Sequence, residues 1–572
     1  MFSKPPVVAS EDYRRVRALP VRDPDTYYPK DLVEKMSAAL RVPGSKALLR
    51  EVQARALYDL ARGKKGFYPI RVGGGKTLIS FLAPRVLGSS RCLLVTKAAL
   101  LEKTDREWRK AKEDWQVARH LQFRSYEKLG RVSGATDLEM MKPDLIIADE
   151  AHCLKNPRAA VTRRFARYMA THPNTRFIPM TGTLMKNSVK DFAHLMAWAM
   201  RETSVLPGDK GELEAWAGAL DEGLNPVSRR SPGVLLDLMR IPDDGSDDDD
   251  NSRRARKVFF ARANATEGII VADAQDDYQG SLLIEGIEYE PNAATEKNFQ
   301  ILRDTMCKPD GWALGDAMQV WAEARRLAVG VHYAWDPAPP EAWLQARKLW
   351  AACVRDTLKS PRADALGWDS ELQVTTAVLS GQLEDEYGLL ADWQAIKPTF
   401  TIDPKPVWHD DTALNLCAKW LTERPRGICW VEHRFFGFQL AKNTGLPYFG
   451  PKGLDAKGNF IEDADGPIIA SVAANSNGRN LQFKWCDNLV TAPPADSERW
   501  EQMMARTHRY KQPADSVSVD VLIGCREHLE SIPRALASAD VKSDLLGFSQ
   551  RLKISDIVWP EDSSTRRGPR WA

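Results

Sequence analysis

Cysteine is scarce and scattered, with eight residues in 572, no Cys-x-x-Cys pair and no His/Cys cluster at zinc spacing. Neither a disulfide framework nor a structural metal site is thereby indicated. Uncharged runs are equally lacking: no stretch of membrane-spanning length is free of charge, and Met1 to Asp12 has no apolar core of the secretory kind. The expectation is a soluble, cytoplasmic protein with no membrane partner. Charge of one sign is also in short supply, because 80 Lys+Arg against 77 Asp+Glu leave a net charge of +3. That balance neither marks a nucleic-acid binder nor rules one out, since local patches and backbone amides suffice to hold phosphates. Repeats at a solenoid period are absent. What remains is an ordinary globular composition, 43% hydrophobic and 27% charged, long enough for about three or four domains.

Against this plain background stands an ordered series of short motifs. Val72-Gly73-Gly74-Gly75-Lys76-Thr77 follows an apolar-leaning stretch, Phe67 to Val72, and precedes a helix predicted over Thr77 to Leu87. Glycines at such a turn permit positive φ and let backbone N–H groups approach phosphate oxygens, and the helix N-terminus adds favourable partial charge. Lys76 suits the β and γ phosphates of ATP, and the Thr77 hydroxyl suits Mg2+. Ile70 stands where the full phosphate-loop spelling has glycine, so the match is to the shorter form. Next, Leu145-Ile146-Ile147-Ala148 reads as a buried strand that delivers Asp149 and Glu150 at its C-terminal end. Two adjacent carboxylates divide the labour, Asp149 on Mg2+ and Glu150 on the attacking water. Thr181-Gly182-Thr183 follows, and far downstream come Gln502, Arg506 and Arg509, the last two on one face of a helix predicted over Glu498 to Thr507.

The periodicity predicts an α/β chain in five parts. Residues 1–45 form a Pro-, Arg- and Tyr-rich extension, and 46–200 alternate strand and helix as in a parallel sheet covered by helices. Residues 201–404 are spaced mostly as helix and accumulate tryptophans that read as core. They also contain the acidic run Asp243 to Asp250 and the basic run Arg253 to Lys257, both expected to be solvated. Strand and helix alternate again over 405–545, and 546–572 form a polar tail.

Seven stretches, in order, resemble the superfamily 2 helicases and translocases, and among them the Snf2-like branch. Leu49-Arg50-Glu51-Val52-Gln53 resembles the upstream glutamine motif, Gly73 to Thr77 motif I, and Leu93 to Thr96 with Leu101 and Trp108 motif Ia. Ser125-Tyr126-Glu127 resembles the segment that follows. Asp149-Glu150-Ala151-His152 with Leu154-Lys155-Asn156 is similar to the Snf2 form of motif II, and Met180-Thr181-Gly182-Thr183 with Asn187 to motif III. Gly478-Arg479-Asn480-Leu481-Gln482 resembles motif V, while Gln502, Arg506, His508, Arg509 and Gln512 resemble motif VI. Leu184 replaces a usual proline, motif V has a single glycine, and the connection from Pro494 to Gln502 is long. The compact form is similar to the small Snf2-type ATPases of bacteria and their viruses.

The resemblance implies two RecA-like lobes with ATP and Mg2+ between them and a mostly helical insert in the connection. It implies that Gln53 reads the adenine edge, that Arg506 and Arg509, with Gln502, complete catalysis from the second lobe, and that His152, Thr181, Gly182 and Thr183 couple the site to movement. Lys97, Ser125, Tyr126 and Asn480 are the implied nucleic-acid contacts. The implied activity is ATP-dependent translocation on duplex DNA by a monomeric core, with the insert open to a protein partner. An RNA helicase is the alternative, and a non-hydrolysing nucleic-acid scaffold a third reading.

Overall fold

A computed structural model describes residues 4–71, 73–182, 188–221, 229–241, 251–271, 280–385, 387–401, 403–546 and 549–560. The chain is an α/β protein built on two parallel sheets. The first contains β1 (Cys92–Thr96), β2 (Leu121–Ser125), β3 (Leu145–Asp149) and β4 (Arg176–Met180), in the order β2-β1-β3-β4. Every pairing is parallel, so the connections cross over through helices, among them Leu101–Ala111 and Ala160–Thr171. The central strands β1 and β3 are nearly continuous apolar runs because both sheet faces are covered there, while the edge strand β2 carries Gln122 and Arg124. Leu93, Val95, Ile146 and Ala148 enter one core. Cys92, Leu94, Leu145 and Ile147 enter the other, as the period of two requires.

The apolar stretch ahead of the glycine loop forms only two bridge residues. Tyr68 pairs in parallel with Met180 beyond β4, and Phe67 pairs with Ile269 on its other side. Pro69 then ends the pairing, because it lacks the N–H a ladder needs. The helix Glu51–Gly63 packs on the helix Lys76–Leu87 behind this edge.

The second sheet has seven strands in the order β13-β5-β12-β11-β8-β10-β9, all parallel. They are β5 (Ser281–Glu288), then, past the antiparallel pair β6 (Val331–Trp335) and β7 (Pro404–Trp408), β8 (Gly427–Val431), β9 (Tyr448–Phe449), β10 (Ile468–Ser471), β11 (Asp487–Val490), β12 (Ser516–Ile523) and β13 (Asp556–Val558). Here too the faces alternate, with Ile428, Trp430 and Ala470 in one core and Cys429, Val431 and Ile469 in the other.

Two strands of this sheet come from outside the stretch expected to build it. β5 lies within 201–404, where the spacing reads as helix, yet pairs with β12 over eight residues. Its Leu282 and Ile284 are core, while Glu285, Gly286 and Glu288 dilute the apolar signal. β13 lies in the expected tail and closes the edge beside β5. Between β6 and β7 a helical unit, Glu341–Thr357, Pro361–Leu366, Glu371–Leu379 and Leu389–Ile396, buries Trp343, Trp350 and Trp393 in its own core. The helix Ala160–Thr171 of the first half holds this unit. Arg164 and Arg167 both pair with the fully buried Asp369 carboxylate, at 2.7 and 2.6 Å, and Arg163 donates to the carbonyls of Trp368 and Leu358.

The N-terminal extension is part of the first core through Tyr13, Val16 and Leu19. The basic run begins the helix Asn251–Asn264, where Arg253 and Arg256 pair with Asp544 on the helix Ser531–Leu546. Arg256 is buried in this clasp, while Arg253 and Arg254 stay exposed at the helix start as expected. The acidic run Asp243 to Asp250 and the tail from Ser563 lie outside the described residues. Among the described residues no helix is long and apolar enough to cross a membrane.

Candidate nucleotide cleft between the two sheets

The glycine loop is shaped by two left-handed residues, Gly73 at φ +95° and Gly75 at φ +80°. At Gly75 the positive φ favours glycine, and a Cβ there would also have to displace the Gln53 amide. Gln53 sits inside the helix Glu51–Gly63 at 5% exposure. Its Oε1 accepts from the Arg50 backbone N–H at 2.9 Å, and its Nε2 donates to the Gly75 carbonyl at 3.0 Å. The residue expected to read adenine thus holds the loop in place. Lys76 opens the next helix and donates to the carbonyls of Ile70 and Arg71 at 2.8 and 3.2 Å. Burial lowers its pKa, and the charges of Glu150 and Asp149 oppose that shift.

β3 delivers Asp149, whose Oδ2 accepts from Thr96 Oγ1 at 3.4 Å. Glu150 follows in a left-handed conformation at φ +55°, a strained backbone for a residue with a Cβ. Burial and the charge of Glu150 raise the Asp149 carboxyl. Burial alone would raise Glu150 as well, but the hydrogen bond from His152 and the charge of Lys76 overcome it and hold Glu150 low. His152 Nδ1 lies 3.3 Å from Glu150 Oε2 and 3.3 Å from Thr181 Oγ1. Burial lowers His152, yet its bonds to Cys153 and Glu150 prevail and push it up to about 9. The turn after β3 is therefore tied to the turn after β4.

The distant cations complete the cleft. Arg506 donates to the Gln502 and Arg479 carbonyls at 2.8 and 3.0 Å. Arg509 donates to Asn480 Oδ1 at 2.8 Å and to the Arg479 carbonyl at 3.3 Å. A Cβ on Gly73 would stand 3.8 Å from the Arg509 guanidinium. Burial, with the charge of Arg509, pushes Arg506 down to about 9. The helix expected to carry both arginines ends at Met504, and they ride on tight turns closed by Arg506 N to Met503 O and Thr507 N to Met504 O. They converge through a shared carbonyl and not through helical spacing.

Gly73, Gly75, Lys76, Thr77, Asp149, Glu150, Asn480, Arg506 and Arg509 line one cleft, with Gly74 in the same turn. Asn480, expected on nucleic acid, therefore faces this cleft. Gln502 does not line it, because its amide donates to Glu498 at 3.1 Å. Ser125 and Tyr126 are buried too. Ser125 caps the short helix Tyr126–Gly130, and the Tyr126 hydroxyl donates to the Asp149 carbonyl at 2.7 Å, so both support the site from behind. Lys97 is half-buried, and its charge reaches Glu150. Gly182 is buried beside Thr181, while Thr183 and Asn187 lie outside the described residues.

Arg50, Leu100, Lys103, Thr104, Glu107 and Gly478 also line the cleft and were not among the expected site residues. Arg50 donates to the Gly73 carbonyl at 2.8 Å. Lys103, from the helix Leu101–Ala111, donates to the Gly478 carbonyl, and Leu100 packs where a Cβ on Gly478 would collide with it. Arg50 lay three residues before Gln53 in plain view. Lys103 carried no motif signal, because its role depends on a partner 375 residues away.

The cleft encloses about 170 Å3, well under the roughly 300–1,000 Å3 of a pocket that takes in a whole small-molecule ligand. That size, with Lys76, Arg506 and Arg509 in the lining, suits a small polyanion better than a whole nucleotide. Among the described residues no group of three or more His, Cys, Asp or Glu is gathered to hold a metal. Thr77 and Asp149 offer a hydroxyl and one carboxylate, the partial oxygen set that Mg2+ completes with phosphate and water. No protein-family model matches this chain, and no curated protein matches it.

Proposed function

We propose that this chain is a nucleic-acid-stimulated ATPase of the Snf2-like superfamily 2 type, with two RecA-like lobes, that couples ATP hydrolysis to movement on duplex DNA. The observation that carries this reading is the convergence of Arg506 and Arg509 with Lys76, Asp149 and Glu150 in one cleft, the arginines arriving from the second sheet. Bound ATP and Mg2+ supply the transferable phosphoryl group and the divalent charge beside it. Lys76 exchanges its two backbone carbonyls for phosphate oxygens. Glu150, kept ionised by His152, orients water and accepts its proton. Arg506, which is buried, and Arg509, which is half-buried, are cations that gain most when negative charge develops between the sheets.

Because the cations stand on the far side of the cleft, hydrolysis depends on how closely the halves approach, and a cycle of approach and release has a mechanical output. Leu154-Lys155-Asn156 and Gln512 favour duplex DNA as the track, through their likeness to the Snf2 form. The test is steady-state ATP turnover with no nucleic acid, with duplex DNA and with RNA of equal length. Turnover is expected to rise most with duplex DNA. A higher rate on RNA would replace the substrate, and no hydrolysis under any condition would end the proposal.

A further inference from the structure

With Gln53 committed to the backbone of Arg50 and Gly75, and with a cleft only large enough for the phosphates, a nucleobase must be met at the rim. One large aromatic stands there. Tyr510 directly follows Arg509, is 49% exposed, and has the Arg50 guanidinium 5.0 Å from its ring centroid. The same Arg50 reaches the Gly73 carbonyl, so the ring lies one guanidinium away from the phosphate loop. Lys511 Nζ is also 5.6 Å from the ring. It is exposed, on a long side chain that can yield a ring face to a ligand.

We propose that Tyr510, braced by Arg50, is the stacking platform for the base of the bound nucleotide, and that the base is held by its π face instead of its hydrogen-bonding edge. This deepens the triphosphate reading of the cleft and rests on it. The consequence is permissive base choice. A site that pairs with an edge can reject the wrong partner by about 10⁴–10⁵, whereas stacking tolerates any base because every base has a π face. ATP and GTP are then both ligands. Tyr510 also belongs to the second half of the chain while Gly73 belongs to the first, so the base, like the phosphates, bridges the two.

Equilibrium binding of ATP, GTP and inorganic tripolyphosphate to the full chain, as wild type, Tyr510→Ala and Tyr510→Phe, tests this. Wild type should bind ATP and GTP within about tenfold of each other and both more tightly than tripolyphosphate. Tyr510→Ala should weaken both nucleotides by roughly 5- to 150-fold and leave tripolyphosphate unchanged, and Tyr510→Phe should restore them. An ATP preference over GTP of about a thousandfold or more, or equal loss of tripolyphosphate in Tyr510→Ala, overturns the stacking role. If wild type binds none of the three, the phosphate reading falls and takes this inference with it, a result distinct from tripolyphosphate binding with an insensitive Tyr510.

Discussion

Glu150 combines a left-handed backbone with a buried, ionised side chain, and both costs are met locally. β3 and the Tyr126 hydroxyl fix the carbonyl just before it, while His152 supplies the proton that keeps its carboxylate charged. The pair makes stability depend on pH in a defined window. Glu150 is held below its ordinary value of 4.5, so its share is present above that value and lost as pH falls through the depressed one. His152 is raised from 6.5 to about 9, so its share is complete below 6.5 and lost as pH rises through about 9. The stability difference between wild type and His152→Ala, read by thermal unfolding, should be fullest below about pH 6.5, at roughly 1.5–3 kcal/mol, and should shrink as pH rises through about 9. Parallel pH curves for the two proteins would show that the histidine does not hold this charge.

Elements explain why part of the site was legible and part was not. The loop, the strand ending at Asp149 and the helix Lys76–Leu87 are local patterns, so glycine spacing and an apolar run located them. Gln53 and Asn480 were found, but their partners within the protein, the Arg50 and Gly75 backbone and Arg509, were not, because a side chain's partners depend on tertiary packing. Arg506 and Arg509 were expected on a helix that stops at Met504. β5 was hidden because its pairing is set by β12, more than two hundred residues downstream. The docking of the helical unit was equally invisible. Asp369 has no exposed side-chain surface and faces Arg164, itself 3% exposed, and Arg167. Burial would raise its carboxyl, and the two arginines overcome that and lower it. Asp369→Ala strands the Arg164 charge and should cost about 3–5 kcal/mol in urea unfolding. Replacing Arg164 and Asp369 together by Met and Leu should recover most of it. A loss below about 1 kcal/mol in the single variant would place the pair among the weak, solvent-screened bridges instead.

Besides the Arg50–Tyr510 pair, two groups of contacts bring the halves of the molecule together. On one side Leu100 and Lys103 pack on the Gly478 loop, and Arg106 lies 4.3 Å above the Phe460 ring. On the other, Val541 and Leu545 of the helix Ser531–Leu546 enter the first core, and Asp544 holds Arg253 and Arg256. The cleft lies in this junction, which is why Arg509 and the glycine loop line it together; on the proposed function, the second half then governs chemistry begun by the first. The α/β class and the order of the halves were readable from alternation alone. Their mutual approach was not, since it rests on contacts such as a lysine on a glycine carbonyl that leave no sequence pattern. The division of one site between two sheets is tested most directly by ATP turnover of Arg506→Ala on duplex DNA, measured together with nucleotide affinity. On the proposed function, turnover falls by about 10³ or more while affinity changes only a few-fold. Turnover within a few-fold of wild type would contradict it, because the second half would then contribute no charge to the transferring phosphoryl group.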